Sequence, residues 1–69
     1  MFILANNDNE TIVLNTGYVK MFKVVRNKVI ALMDNGMECV VRVCENHEDA
    51  EEKMMDMYYS IQSEAHGYH

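Results

Sequence analysis

The stretch Asn27-Lys28-Val29-Ile30-Ala31-Leu32-Met33-Asp34-Asn35-Gly36-Met37-Glu38-Cys39-Val40-Val41-Arg42-Val43 holds two apolar, β-branched runs around a polar break. Asn-Gly is the strongest short-range signal for a two-residue β-hairpin, because both residues tolerate the positive φ that such a turn requires. With Asn35-Gly36 as the loop, Leu32 pairs with Cys39 and Ile30 with Val41. Met33–Glu38, Ala31–Val40 and Val29–Arg42 then share the other face. Upstream, Val25-Arg26-Asn27-Lys28-Val29 marks another turn. A three-residue loop, Arg26–Lys28, sets Val24 opposite Ile30 and Phe22 opposite Leu32, and is preferred over a two-residue loop for this apolar alignment. A slip of one residue would turn every side chain to the other face.

Further toward the N-terminus, Asn6-Asn7-Asp8-Asn9 separates Phe2–Ala5 from Thr11–Leu14, which predicts a first hairpin of undetermined loop length. Asn15-Thr16-Gly17 supplies the next break, and proline is absent. Asn, Asp and Gly therefore carry all the turn chemistry. One face is expected to hold Phe22, Val24, Ile30, Leu32, Cys39, Val41 and Val43, with Ile12 and Leu14 from the second strand. Leaving such a face in water would forfeit ~1.5–3 kcal/mol for each large side chain.

The cover is expected from the C-terminal third. Asn46 suits an N-cap, and Glu48, Asp49, Glu51 and Glu52 favour the positive end of a helix dipole. At about 100° per residue, Ala50, Met54, Met57, Tyr58, Ile61 and Ala65 form one stripe, and Gly67 is a suitable stop. The predicted fold is α+β: an antiparallel β-meander of four to five strands with one C-terminal amphipathic helix packed on one face, in a single small domain spanning residues 1–69.

Composition bounds the function. A chain of 69 residues buries only about 60% of its unfolded surface, so oligomerisation is a natural source of further stability. No apolar run approaches the ~20 residues of a membrane span. The start, Met1-Phe2-Ile3-Leu4-Ala5-Asn6, lacks a signal peptide's basic flank and long apolar core, so a cytoplasmic location is expected. Cys39 and Cys44 in one strand would stand roughly 16 Å apart on opposite faces, too far for a disulfide. Net charge is −5. Residues 1–45 are balanced, and the excess lies in residues 46–69, where Lys53 is the only Lys or Arg. A direct nucleic-acid binder would show the reverse.

Catalytic patterns are weak. His66 and His69 could approach a metal, but zinc needs four ligands, or three plus water, so neither a metal nor a cofactor is expected. Cys44 and His47 lie close in sequence, yet a nucleophile–base pair needs an orienting third group. The isolated glycines make no phosphate loop. An enzyme is not expected.

Two surfaces stand out instead. On the helix, Met55 and Tyr59 fall away from the buried stripe among Glu51, Glu52 and Asp56, a pattern suited to a protein partner with an apolar pocket in a basic surround. The plain alternative is an i,i+4 pair that stabilises the helix. On the outward sheet face, Val19, Met21, Val25, Val29, Ala31, Met33 and Val40 are expected to form an apolar strip. Met21, Ala31, Met33 and Val40 would be the centre of a homodimer interface, unless the strip reflects strand propensity alone.

Thr11-Ile12-Val13-Leu14-Asn15, Asn27 to Gly36 and Asp49-Ala50-Glu51-Glu52 together resemble short meander-plus-helix accessory proteins of phages and mobile elements in Gram-positive bacteria. Some anti-CRISPR proteins and flagellar accessory factors of the swarming-motility type are similar. What the resemblance implies is a phage-encoded inhibitor of a host defence complex, acting in the host cytoplasm by occluding a basic surface. The alternative is a structural homodimer or accessory subunit. No site residue is carried over from the resemblance.

Overall fold

The computed structural model describes residues 1–65, with side chains to 63; the readings placed on His66, Gly67, His69 and the side chain of Ala65 lie outside the described residues. Five strands precede one helix: β1 (Phe2–Asn7), β2 (Glu10–Asn15), β3 (Val19–Val25), β4 (Lys28–Met33), β5 (Glu38–Val43) and α1 (His47–Ala65). All strand pairs are antiparallel, in the order β2-β1-β5-β4-β3. The fold is the expected α+β sheet with a C-terminal helix, and the β1–β2 hairpin joins the β3–β4–β5 meander through β5.

That order forces curvature. In a flat sheet β2 and β3 would lie four strand spacings apart, roughly 19 Å. The link from Asn15 to Val19 reaches at most about 14 Å, and residues Thr16–Tyr18 shorten it further by winding into a 3-10 turn. Asn15 Oδ1 starts this turn by accepting the Gly17 N–H at 2.9 Å. The sheet yields at the β1–β5 seam, where Asn6–Val40 is the single registered pair. The hairpin folds over the meander there, and Ala5 and Leu14 enter one core with Ala31, Met33 and Cys39.

Both meander turns differ from the expected ones by one residue. Between β3 and β4, Val25 pairs with Lys28, so the loop is Arg26-Asn27, with Arg26 in the left-handed region at φ 59°. Between β4 and β5, Met33 N–H donates to Met37 O at 2.8 Å and Gly36 N–H donates to Met33 O at 2.9 Å. The loop is therefore Asp34-Asn35-Gly36, with Gly36 at φ 91°, the left-handed position of a three-residue hairpin.

One loop is shorter and the other longer than expected, so the two shifts cancel across the meander. Phe22 pairs with Ala31 and Ala31 with Cys39; β3 from Met21 onward and β5 as far as Val41 keep their expected faces, and β4 alone is turned over along its length. Val29, Ala31 and Met33 are buried, whereas Ile30 and Leu32 face outward and are half-buried. Val19 packs against the core rather than outward. Val41 packs against the core on the same side as Cys39, and a bulge opposite the Val29–Ile30 step then shifts the alternation, so Val43 pairs with Lys28 and is left exposed.

The helix packs on β3 and β4 alone among strong contacts. Asn46 caps it, its Oδ1 accepting the Asp49 N–H at 2.8 Å. Its start is fixed to the Arg26-Asn27 turn by three hydrogen bonds. Cys44 N–H donates to Asn27 O at 2.8 Å, the Asn27 side-chain amide donates to Cys44 O at 2.7 Å, and His47 Nδ1 donates to Arg26 O at 2.7 Å. Ala50, one turn inward, is fully buried, as is Val29 just past the same turn.

Asn27→Ala removes one of these bonds and leaves the part-buried Cys44 carbonyl unpaired. We expect a loss of about 1–2 kcal/mol in urea unfolding. Arg26→Gly relieves a left-handed residue and should leave stability equal or higher by up to about 1 kcal/mol. A large loss in the glycine variant would show that the turn is not held at positive φ.

Candidate interaction surfaces

The helix is amphipathic only in part. Ala50 is buried, and Lys53, Met54, Met57 and Ile61 are half-buried. Tyr58, expected in the covered stripe, is instead 49% exposed, because the folded-over hairpin fills the far half of the inner face and leaves the helix only the β3–β4 half. Phe22 of β3 and Met54, Met55 and Tyr58 of the helix line an apolar groove of about 310 Å³. The Tyr58 and Tyr59 rings lie with centroids 5.6 Å apart and planes tilted by 54°, within the range of favourable aromatic pairs.

Of the residues expected to meet a partner, Met55 and Tyr59 are exposed, and so are Glu51, Glu52 and Asp56. Glu51 lies one helical turn before Met55, on the groove's side of the helix, whereas Glu52 and Asp56 lie roughly 110–150° around the helix from the groove, near Tyr59. Tyr58 is the member that sequence periodicity assigned to the wrong face. Its place at one edge of a wide stripe was the available signal.

The expected dimer strip does not form one surface. Met21 is exposed and Val40 half-buried on the outer face, but Ala31 and Met33 lie in the core with β4 turned over. Ile30 and Leu32 take their outward places. Lys23 and Glu38, from strands on either side of β4, join across this face at 2.7 Å. On the hairpin, sequence reasoning missed Phe2, Leu4 and Val13, exposed by 69%, 66% and 64%. Leu4 and Val13 are direct cross-strand partners. Strand alternation with buried Ala5 and Leu14 was the signal that could have located them.

A second hollow, about 390 Å³, is lined by Arg42, Val43, Cys44, Glu45, Asp49 and Lys53. Its two cations and two carboxylates balance. The Cys44–His47 pairing has no support in the geometry. His47 Nδ1 is spent on Arg26 O, and Nε2 stands 3.5 Å from Glu51. Among the described residues no three His, Cys, Asp or Glu side chains are grouped to hold a metal, and no helix is long and apolar enough to cross a membrane.

Both cysteines are free. Burial pushes the Cys39 thiol above its ordinary 9.0, so little reactive thiolate forms there. A disulfide-type thiol reagent at pH 8 should label half-buried Cys44 in the native protein and Cys39 only on unfolding. Rapid native labelling of both would contradict the closed core. Linkage has a fixed sign here: above 9.0 the unfolded thiol ionises while the folded one stays protonated. The Cys39 contribution therefore lowers stability as pH rises from 9.0 toward the raised value. No family model, no curated protein and no solved structure matches the chain.

Proposed function

We propose that the chain is a non-enzymatic protein-binding module that presents its acidic helix to a partner with a basic surface. The observation that carries this reading is an apolar groove on α1 with Glu51 at its edge, next to an exposed flank that carries Tyr59 with Glu52 and Asp56. Phe22, Met54, Met55 and Tyr58 line the groove, Tyr59 stands beside it, and Glu51, Glu52 and Asp56 are solvent-exposed along the same helix. Aromatic and Met side chains are typical anchors at interface centres, whereas rim charges act mainly on encounter. The narrower form, a phage-encoded inhibitor that occludes the nucleic-acid-binding surface of a CRISPR-type defence complex, draws support from the family resemblance. It also fits carboxylates spaced along a helix as competitors for phosphates.

The two groups of residues should separate in binding kinetics against a partner recovered from lysate. Glu52→Lys should slow association and flatten its salt dependence, because steering acts on the on-rate. Tyr58→Ala and Tyr59→Ala should speed dissociation, at a cost on the order of 2 kcal/mol if either is an anchor. All three side chains are exposed, so the far-UV spectrum should not change. Unaltered association and dissociation in all three variants would remove the helix from the interface.

A further inference from the structure

The two edges of the sheet are built differently. Edge strands offer unpaired backbone groups to other chains, and natural proteins blunt them with lysines, proline or bulges. The β3 edge is blunted in two of these ways: it carries Lys20 and Lys23, and its register breaks between Val19 and Met21. The β2 edge, Glu10-Thr11-Ile12-Val13-Leu14-Asn15, contains no lysine, arginine or proline and pairs regularly with β1 along its whole length. Its central outward residue is Val13, one of the most exposed large apolar side chains, with Leu4 beside it.

We infer that β2 pairs antiparallel with β2 of a second copy of this chain, about a two-fold axis through Val13. The order of residues in the strand selects this partner. An axis at Val13 sets Val13 against its own copy, Ile12 against Leu14 and Thr11 against Asn15. Ile12 and Leu14 belong to the core side, and Thr11 to the outer side, where its hydroxyl donates to Asn6 Oδ1 at 3.2 Å. Apolar therefore meets apolar, polar meets polar, and Glu10 opposes no like charge. An axis at Ile12 would set Glu10 against Leu14 and Thr11 against Val13. An axis between the two residues would oppose inner to outer side chains, which a common pleat does not allow.

Area sets the strength. At roughly 60–120 Å² for a large side chain, the exposed parts of Phe2, Leu4 and Val13 amount to about 120–240 Å² per copy. A standard stable interface takes about 800 Å² from each partner. The six-residue strand edge adds main-chain hydrogen bonds but does not close that gap, so the dimer is weak and its dissociation constant lies on the order of 10–100 µM. This association is independent of the helix groove, which lies on the opposite end of the strand order.

Sedimentation velocity of the full chain from about 5 to about 500 µM should show a monomer giving way to a dimer. Val13→Lys, which sets two like charges directly opposite each other, should weaken association at least about tenfold with the fold intact. Val13→Cys in a Cys44→Ser background should cross-link to its own copy on mild oxidation. Opposed Cα atoms about 4.5–5.5 Å apart suit a disulfide. Thr11→Cys in the same background should not. A wild-type chain that stays monomeric throughout this range overturns the proposal. So does a dimer that survives Val13→Lys, or one that cross-links at Thr11 and not at Val13. Loss of self-association in Tyr59→Ala but not in Val13→Lys would move the contact to the helix and equally overturn it.

Discussion

The turn Arg26-Asn27 is where three elements meet, and the remainder of the structure follows from how it is tied. Asn27 bonds the backbone of Cys44 twice, through its own carbonyl and its side-chain amide, and His47 reaches back to the Arg26 carbonyl. A two-residue loop at this point sets the register of β4 against β3. The two bonds to Cys44 then end β5, and the histidine bond places the first turn of the helix over β3 and β4. Each bond contributes only about 1 kcal/mol net. Their importance is geometric, since they decide which side of β4 is inside and where the helix can lie.

The existence of the elements was legible in the sequence because each carries its own signal. Asn46 with Glu48 and Asp49 announces the helix start, and the Asn- and Gly-bearing breaks bound the strands. The orientation of β4 was not legible. Val29 to Met33 is apolar without interruption, so alternation cannot say which residues face in. Only the turns could, and both were ambiguous. Asn-Gly serves a two-residue loop or the end of a three-residue one, and the structure uses the latter, with Gly36 at φ 91°. Arg26 at φ 59° has no sequence signature at all, since the left-handed region is uncommon for such a residue. The two displacements cancel across the meander, which is why β3 from Met21 onward and β5 as far as Val41 agree with a pattern-based reading while β4 does not.

The hairpin's contribution to the core was hidden for a different reason. β1 and β5 are far apart in sequence and share one registered pair, so no local pattern announces their contact. Once the hairpin folds over the meander, small and branched side chains suffice for a thin core; Ala5, Ala31 and Cys39 are buried there. The helix is then needed over only half of the inner face. Tyr58 remains in the open because the layer it would otherwise cover already has a lid made of sheet.

This division of labour also sorts the surface chemistry. On the outer face of the meander, Lys23 and Glu38 close over the strand that carries half-buried Ile30 and Leu32, so the apolar groups there are partly shielded by a charged pair. At 38% and 50% side-chain exposure that pair adds little stability; its effect is to keep the middle of the sheet wetted. No such pair crosses the β1–β2 hairpin among the described residues, where Phe2, Leu4 and Val13 stand in solvent. The negative excess sits on the helix, which packs against β3 and β4 and also exposes Met55, Tyr58 and Tyr59, while Phe2, Leu4 and Val13 stand without neighbouring excess charge on the strands at the other end of the sheet order. A surface that combines carboxylates with apolar side chains and a surface that is apolar alone are thus carried by different elements. The proposed helix contact and the proposed β2 contact would therefore occupy separate parts of the molecule.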